Sequence, residues 1–326
     1  WGYCDGSQPG TTTCNNPAYT FEVTRNTSTT VTWVNDLVDV NGNFLTHIIR
    51  DNDGDPATVD DPIIDQTLHW ANPPQECVSG IPRTDCHGIS GDPYVGPIPM
   101  VTHVHGAHVG PISDGYPEAW WLPAASNIPA GYATQGTFYD DINGGSPDTG
   151  TAVYQYTNDQ PSTTLWFHDH SLGITRLNVY AAGAGFWLIR EANDGETGLA
   201  AGTLPGPAPA AAQDPNTDPA VRATIREIPL AIQPKSFNVD GSQYYPADRA
   251  FFEGLGTGDT FALNTGLNIP FLPDTTSDIA PVWNPEAFFN TMVVNGKTWP
   301  VLDVAPERYR FRVLNASDSR FLNLAM

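Results

Sequence analysis

The sequence predicts an all-β protein made of β-sandwich domains, and three features carry that prediction. The 326 residues include 30 glycines and 30 prolines without a collagen period, which marks many turns between short strands. Hydrophobic residues make up 40% and aromatic residues 11% of the chain, enough to fill a core and to exclude intrinsic disorder. Short β-rich runs recur between Asn, Asp and Gly with the cadence of a sandwich. A mass of 35.2 kDa suits two domains.

Taken in order, the first strands fall at 19–23, 29–33 and 44–49, where β-branched and aromatic residues cluster. Residues 51–99 are rich in Asp, Pro and Gly and read mostly as loop. Strand patterning returns at 98–104, 152–156, 163–168 and 185–189. The first domain thus covers 1–192. Residues 193–219 are Gly, Ala and Pro with scattered acids and read as a linker. A second domain occupies 220–326, with strands at 225–232, 291–294 and 309–313 and a largely loop-like 254–286. The runs 308–314 and 323–326 read as strands of a domain only partly present, so a further polypeptide is expected to cover that edge.

Charge narrows the partners. The formal net charge is −22, which repels nucleic acid and anionic membranes. Only Lys235 and Lys297 are lysines, and 27 Asp stand against 9 Glu. Such a surface suits a saline habitat, where screening shortens self-repulsion; an ordinary acidic secreted protein is the alternative. The longest apolar stretch, 179–189, is too short to span a bilayer. The chain opens at Trp1 without a signal-like segment and reads as a mature, secreted or periplasmic product. Cys4, Cys14, Cys77 and Cys86 are an even number, expected to form two disulfides of open connectivity.

Eight histidines occur, and four of them form two His-x-His pairs, His103/His105 and His168/His170, each at the end of a β-type run. Residues i and i+2 of a strand project from one face roughly 6.6 Å apart. Two neighbouring strands of this kind would present a wall of four imidazoles to adjacent metal ions. Imidazole suits copper, zinc, iron or nickel, and the spacing does not choose among them.

The runs THVHGAHVGPISDGYPEAW (102–120) and LWFHDHSLGITR (165–176) resemble the first two copper motifs of the multicopper oxidases. The similarity is to the branch of bacterial and spore-coat laccases, phenoxazinone synthase and bilirubin oxidases. It continues through RLNVYAAGAGFWLIR (176–190), resumes at VVNGKTWPVLDVAPERYRFRVLNAS (293–317), and is fainter at IDQTLH (64–69). The resemblance implies cupredoxin-like Greek-key β-sandwich domains, one complete and a second incomplete. It makes His103 a ligand of a type 2 copper and His105, His168 and His170 ligands of a type 3 pair. It gives Asp114, in Ser113-Asp114-Gly115-Tyr116, a proton-relay role, with a simple turn before glycine as the alternative. It implies one-electron oxidation of a phenolic, aromatic or metal-ion substrate coupled to reduction of dioxygen to water.

Four further cluster histidines and the type 1 copper motif are expected from the family and do not occur in these 326 residues. Cys86-His87 lacks the flanking histidines of such a motif and reads as half of a disulfide. A C-terminal fragment or second chain is therefore the expected partner, completing the second domain and supplying a third cupredoxin domain with the type 1 copper. Rival readings are a non-catalytic copper-binding or storage protein and a structural relative without copper. Asp169 should point away from the metals by strand alternation. His47, His69, His87 and His108 read as core, surface or loop residues. Residues 51–61 resemble a calcium loop but place Pro56 and Pro62 where glycine and glutamate are needed. Asn26 and Asn315 begin N-glycosylation patterns, the second expected in a buried turn.

Overall fold

The computed structural model describes residues 1–6, 14–50, 64, 69–75, 94–139, 149–191, 213–245 and 286–325. Its chain starts with a small hairpin, β1 (Tyr3–Cys4) and β2 (Cys14–Asn15), in which Cys4 pairs with Cys14 in register and in a disulfide. Cys77, Cys86, His87 and the calcium-like stretch 51–61 lie outside the described residues.

Two sheets follow. One has the order β3–β8–β7–β5, where β3 (Phe21–Thr24) runs parallel to β8 (Ala184–Arg190), and β7 (Thr163–Asp169) lies antiparallel to both β8 and β5 (Thr102–His105). The other pairs β4 (Thr29–Val34) with β6 (Thr151–Tyr156) antiparallel. Strand β6 alternates as its sequence demands, with Ala152, Tyr154 and Tyr156 buried and Val153 and Gln155 exposed. An aromatic core fills the space between the sheets. Phe21 stacks on Trp187 at 4.9 Å, Phe167 packs on Trp33 and Phe21, and the Trp33 indole donates to the Tyr156 hydroxyl at 3.0 Å. This is the all-β sandwich that the sequence predicts.

The run 176–190 resolves into two elements. Helix α1 (Thr175–Ala181) buries Leu177, Asn178, Tyr180 and Ala181, and β8 follows immediately. Every residue of β8 is buried, because both of its faces are covered. Trp187 and Ile189 face the sandwich core, while Phe186 and Leu188 meet Ala231 and Leu314 of the second half. That double burial explains a continuous apolar run in place of an alternating one.

The second half holds a short helix α2 (Pro219–Arg222), capped by the Asp218 side chain, and β9 (Glu227–Ile232) at the centre of a sheet. Beyond the small hairpin β10 (Ser236–Phe237) and β11 (Gln243–Tyr244), β12 (Val293–Val294) pairs antiparallel with β9 and with β13 (Lys297–Thr298). Asn295 and Gly296, at φ 49° and 76°, make the Asn-Gly turn between those two strands. Strand β14 (Arg310–Asn315) lies parallel to β9. This sheet meets β8 through a buried ion cluster. Glu227 accepts from Arg190 at 2.6 Å and from Arg312 at 2.9 Å, and Arg190 also forks onto Glu22.

Three expectations need correction. Residues 44–49 form no strand: Phe44 makes one bridge to Val38, and the buried His47 ring accepts the Ile49 N–H at 3.2 Å, taking the place of a ladder bond. Residues 323–325 are not a strand either; the Asn315 amide donates to the Arg320 carbonyl and bends the chain after β14. Asn315 is exposed, not in a buried turn. Residues 193–212 of the expected linker lie outside the described residues. Among the described residues no helix is long and apolar enough to cross a membrane.

Candidate metal centre

Strands β5 and β7 bring the two His-x-His pairs together. Their register sets His103 directly opposite His168 and His105 opposite Trp166. Pleating sends His103, His105 and His168 to one face and the buried Thr102, Val104, Phe167 and Asp169 to the other. His170 lies just past the end of β7 and is tied back by its N–H to the Val101 carbonyl at 2.7 Å. The ring centroids of His103 lie 5.6, 5.5 and 5.0 Å from those of His105, His168 and His170. Ligand nitrogens of His103, His105 and His168 all fall within 4.8 Å of one another.

Backbone carbonyls fix which nitrogen faces inward. Nδ1 of His103 bonds the Asp114 carbonyl and Nδ1 of His168 the Asp169 carbonyl, each at 2.6 Å. A carbonyl only accepts, so both Nδ1 atoms carry the proton and both Nε2 atoms present lone pairs. His105 turns the other way, with Nδ1 3.1 Å from His168 Nε2. Burial drives the His168 pKa down to about 3, and burial also lowers those of His105 and His170. Uncharged imidazoles aiming lone pairs at one place are a donor set that fits a borderline transition metal such as copper.

Asp114 stands beside this group, its carboxylate Oδ1 3.4 Å from His103 Nδ1 and partly exposed. The segment carrying it presses onto β5 at Gly115, whose φ of +78° and approach to the Thr102 carbonyl leave no room for a Cβ. Asp169 points into the opposite, buried side. Two residues that sequence reasoning did not single out also frame the site. Trp166 packs at a tilt on His168 at 4.3 Å and stacks on His105 at 5.3 Å; its place two residues before His168 was the available signal. Asn178 of α1 bridges Asp169 and His47. His108 stays outside the cluster, exposed and 3.4 Å from Asp159, and His47 is a core residue.

No family model matches the chain. Among curated proteins, it is 34% identical over 227 residues to a laccase of Bacillus stratosphericus, covering 70% of this chain and 33% of the relative. A laccase of Bacillus subtilis strain 168 is 30% identical over 326 residues, covering 100% of this chain and 43% of the relative. Multicopper oxidase LPR1 homolog 1 of Oryza sativa is 31% identical over 275 residues, with 80% and 37% covered. The chain belongs to the multicopper oxidase family. A solved multicopper oxidase of Ochrobactrum sp. aligns over 93% of this chain and 38% of its own, at 15% identity and a TM-score of 0.44. The chain spans 33% to 43% of the length of these curated relatives. Copper is the metal that multicopper oxidase membership implies for the imidazole cluster.

Proposed function

We propose that this chain is the N-terminal portion of a laccase-like oxidase. The whole protein would couple one-electron oxidation of a phenolic, aromatic or metal-ion substrate to the four-electron reduction of dioxygen to water. The observation that carries the reading is the gathering of four imidazoles, three on one sheet face and His170 just past its end, with the His103 and His168 tautomers set by the Asp114 and Asp169 carbonyls. His103 would hold the type 2 ion, and His105, His168 and His170 the type 3 pair. Bound copper supplies the one-electron redox chemistry that dioxygen reduction requires. The protein's share is to keep the His105, His168 and His170 rings unprotonated, to orient the His103 and His168 rings, and to exclude solvent from the buried His168 side.

Asp114 would act as proton relay: its half-exposed carboxylate reaches both solvent and the His103 ring. The domain reading, 1–192 and 220–326 about a linker at 193–219, belongs to the same proposal. So does a C-terminal fragment or second chain bearing the remaining cluster histidines and the type 1 copper. The Cys4–Cys14 disulfide supports a secreted or periplasmic location.

The test is His103→Ala and His168→Ala in the oxidase that carries this chain. Both variants should lose cluster copper and consume no oxygen while keeping the wild-type far-UV spectrum. Unchanged turnover with full copper content would refute the assignment.

A further inference from the structure

We infer that Asp169 is the positioning residue of the copper site, its carboxylate locking the two His-x-His segments into the relative placement that lets their imidazoles share ions. The inference rests on the ligand assignment proposed above.

The carboxylate is buried and accepts from both segments. Oδ1 takes the Val101 N–H at 3.0 Å, two residues ahead of His103, and lies 3.0 Å from the Ser171 hydroxyl. Oδ2 takes the Ser171 N–H at 3.0 Å, next to His170, and the Asn178 amide at 3.0 Å. The backbone carbonyl of the same residue orients the His168 ring at 2.6 Å. Strand β7 ends at Asp169, so the regular ladder has stopped where His170 must be held. Beyond that point the two segments are tied by the His170 N–H to the Val101 carbonyl, by the Ser171 hydroxyl near the Pro99 carbonyl, and by the carboxylate's own bonds.

The chemistry calls for a carboxylate. Each of its oxygens faces a backbone N–H, from Val101 on one side and Ser171 on the other. An asparagine in its place would turn an NH2 toward one of those donors, whichever way the amide was flipped, and release one segment. Ser171 could turn its hydroxyl to the Pro99 carbonyl at 3.2 Å, but a backbone N–H has no such freedom. Residues that orient metal ligands in this way carry about ten- to a hundredfold in metal affinity.

The experiment compares wild type, Asp169→Asn and Leu188→Ala by chelator-competition copper titration, Cu(II) electron paramagnetic resonance, and melting of the metal-free protein. Leu188 packs on the far side of β8 against Ala231 and Leu314, so its truncation supplies a loss of stability away from the site. The expected result is at least a tenfold weaker copper affinity and altered Cu(II) hyperfine splitting in Asp169→Asn, with Leu188→Ala melting lower but binding copper like wild type. An Asp169→Asn protein with wild-type affinity and spectrum would overturn the inference. So would an equal loss of affinity in Leu188→Ala. If Asp169→Asn fails to fold, Asn178→Ala carries the test: it removes one donor from Oδ2 and should change the Cu(II) spectrum in the same sense, while a wild-type spectrum refutes. Failure of wild type itself to bind copper at these histidines would instead defeat the ligand assignment.

Discussion

Replacing Glu227 by Gln should cost the protein about 3 kcal/mol of stability. The carboxylate is almost fully buried between two equally buried guanidinium groups, 2.6 Å from Arg190 Nη2 and 2.9 Å from Arg312 Nη2. Breaking a buried pair by removing one partner costs about 3–5 kcal/mol, because a charge is left desolvated without its counterion. The lower end applies because Arg190 keeps both oxygens of Glu22, at 2.8 and 2.9 Å. Arg312 loses this carboxylate and keeps, among its contacts, the Thr164 hydroxyl at 2.6 Å. Urea denaturation at pH 7 followed by tryptophan fluorescence reads the difference. Burial alone would raise the Glu227 pKa, but the hydrogen bonds from Arg190 and Arg312 outweigh it and hold the carboxyl below its ordinary 4.5. A depressed carboxyl pKa stabilises the fold fully above the unfolded value and loses that effect as pH falls through the folded one. The gap between wild type and variant should therefore be complete above about pH 5 and close in strong acid. A loss under about 1 kcal/mol at pH 7, the worth of a surface pair, would refute the reasoning.

Asp114→Asn should leave copper content unchanged and slow oxygen turnover about a hundredfold or more, as loss of a proton-transfer group does; stopped-flow oxygen consumption checks it, and wild-type rates would remove Asp114 from the mechanism. Lys235 is buried, its ammonium donating to the Tyr180 carbonyl at 2.7 Å and to the Gln243 side chain at 2.9 Å. Burial lowers its pKa from 10.5 to about 8, so stability should rise by about 3 kcal/mol as pH climbs from 8 through 10.5 and the folded state sheds its proton first. In Lys235→Met that rise should be absent from paired denaturation curves, and its persistence would show another group at work.

How much of this was legible in the sequence follows from the range of each interaction. Strands at 29–33 and 152–156 read correctly because one face meets the core and the other water, which writes a period of two into the residues. The His-x-His pairs were legible for the same reason: a two-residue step is enough to place two rings on one face. Helix α1 left no such trace. It is short, its N-terminus has no side-chain cap, and its apolar residues run straight into β8. His47 shows the opposite failure, a side chain that intercepts a backbone bond and breaks an otherwise strand-like stretch. Cross-strand and tertiary partners were out of reach. Trp166 against His105 depends on the β5–β7 register, and Glu227 finds Arg190 and Arg312 at 37 and 85 residues' distance along the chain. Asp169 was half legible, since alternation points it away from the histidines but cannot name Val101 or Asn178 as its partners.

On this reading His103, His105, His168 and His170 hold copper between them. Anomalous diffraction at the copper edge, from crystals of the copper-loaded protein, tests it most directly. Peaks within bonding distance of His103 Nε2, His105 Nδ1 and His168 Nε2, with His170 completing the group, are the predicted result. Copper bound elsewhere, or four rings turned apart with no peak between them, would contradict it.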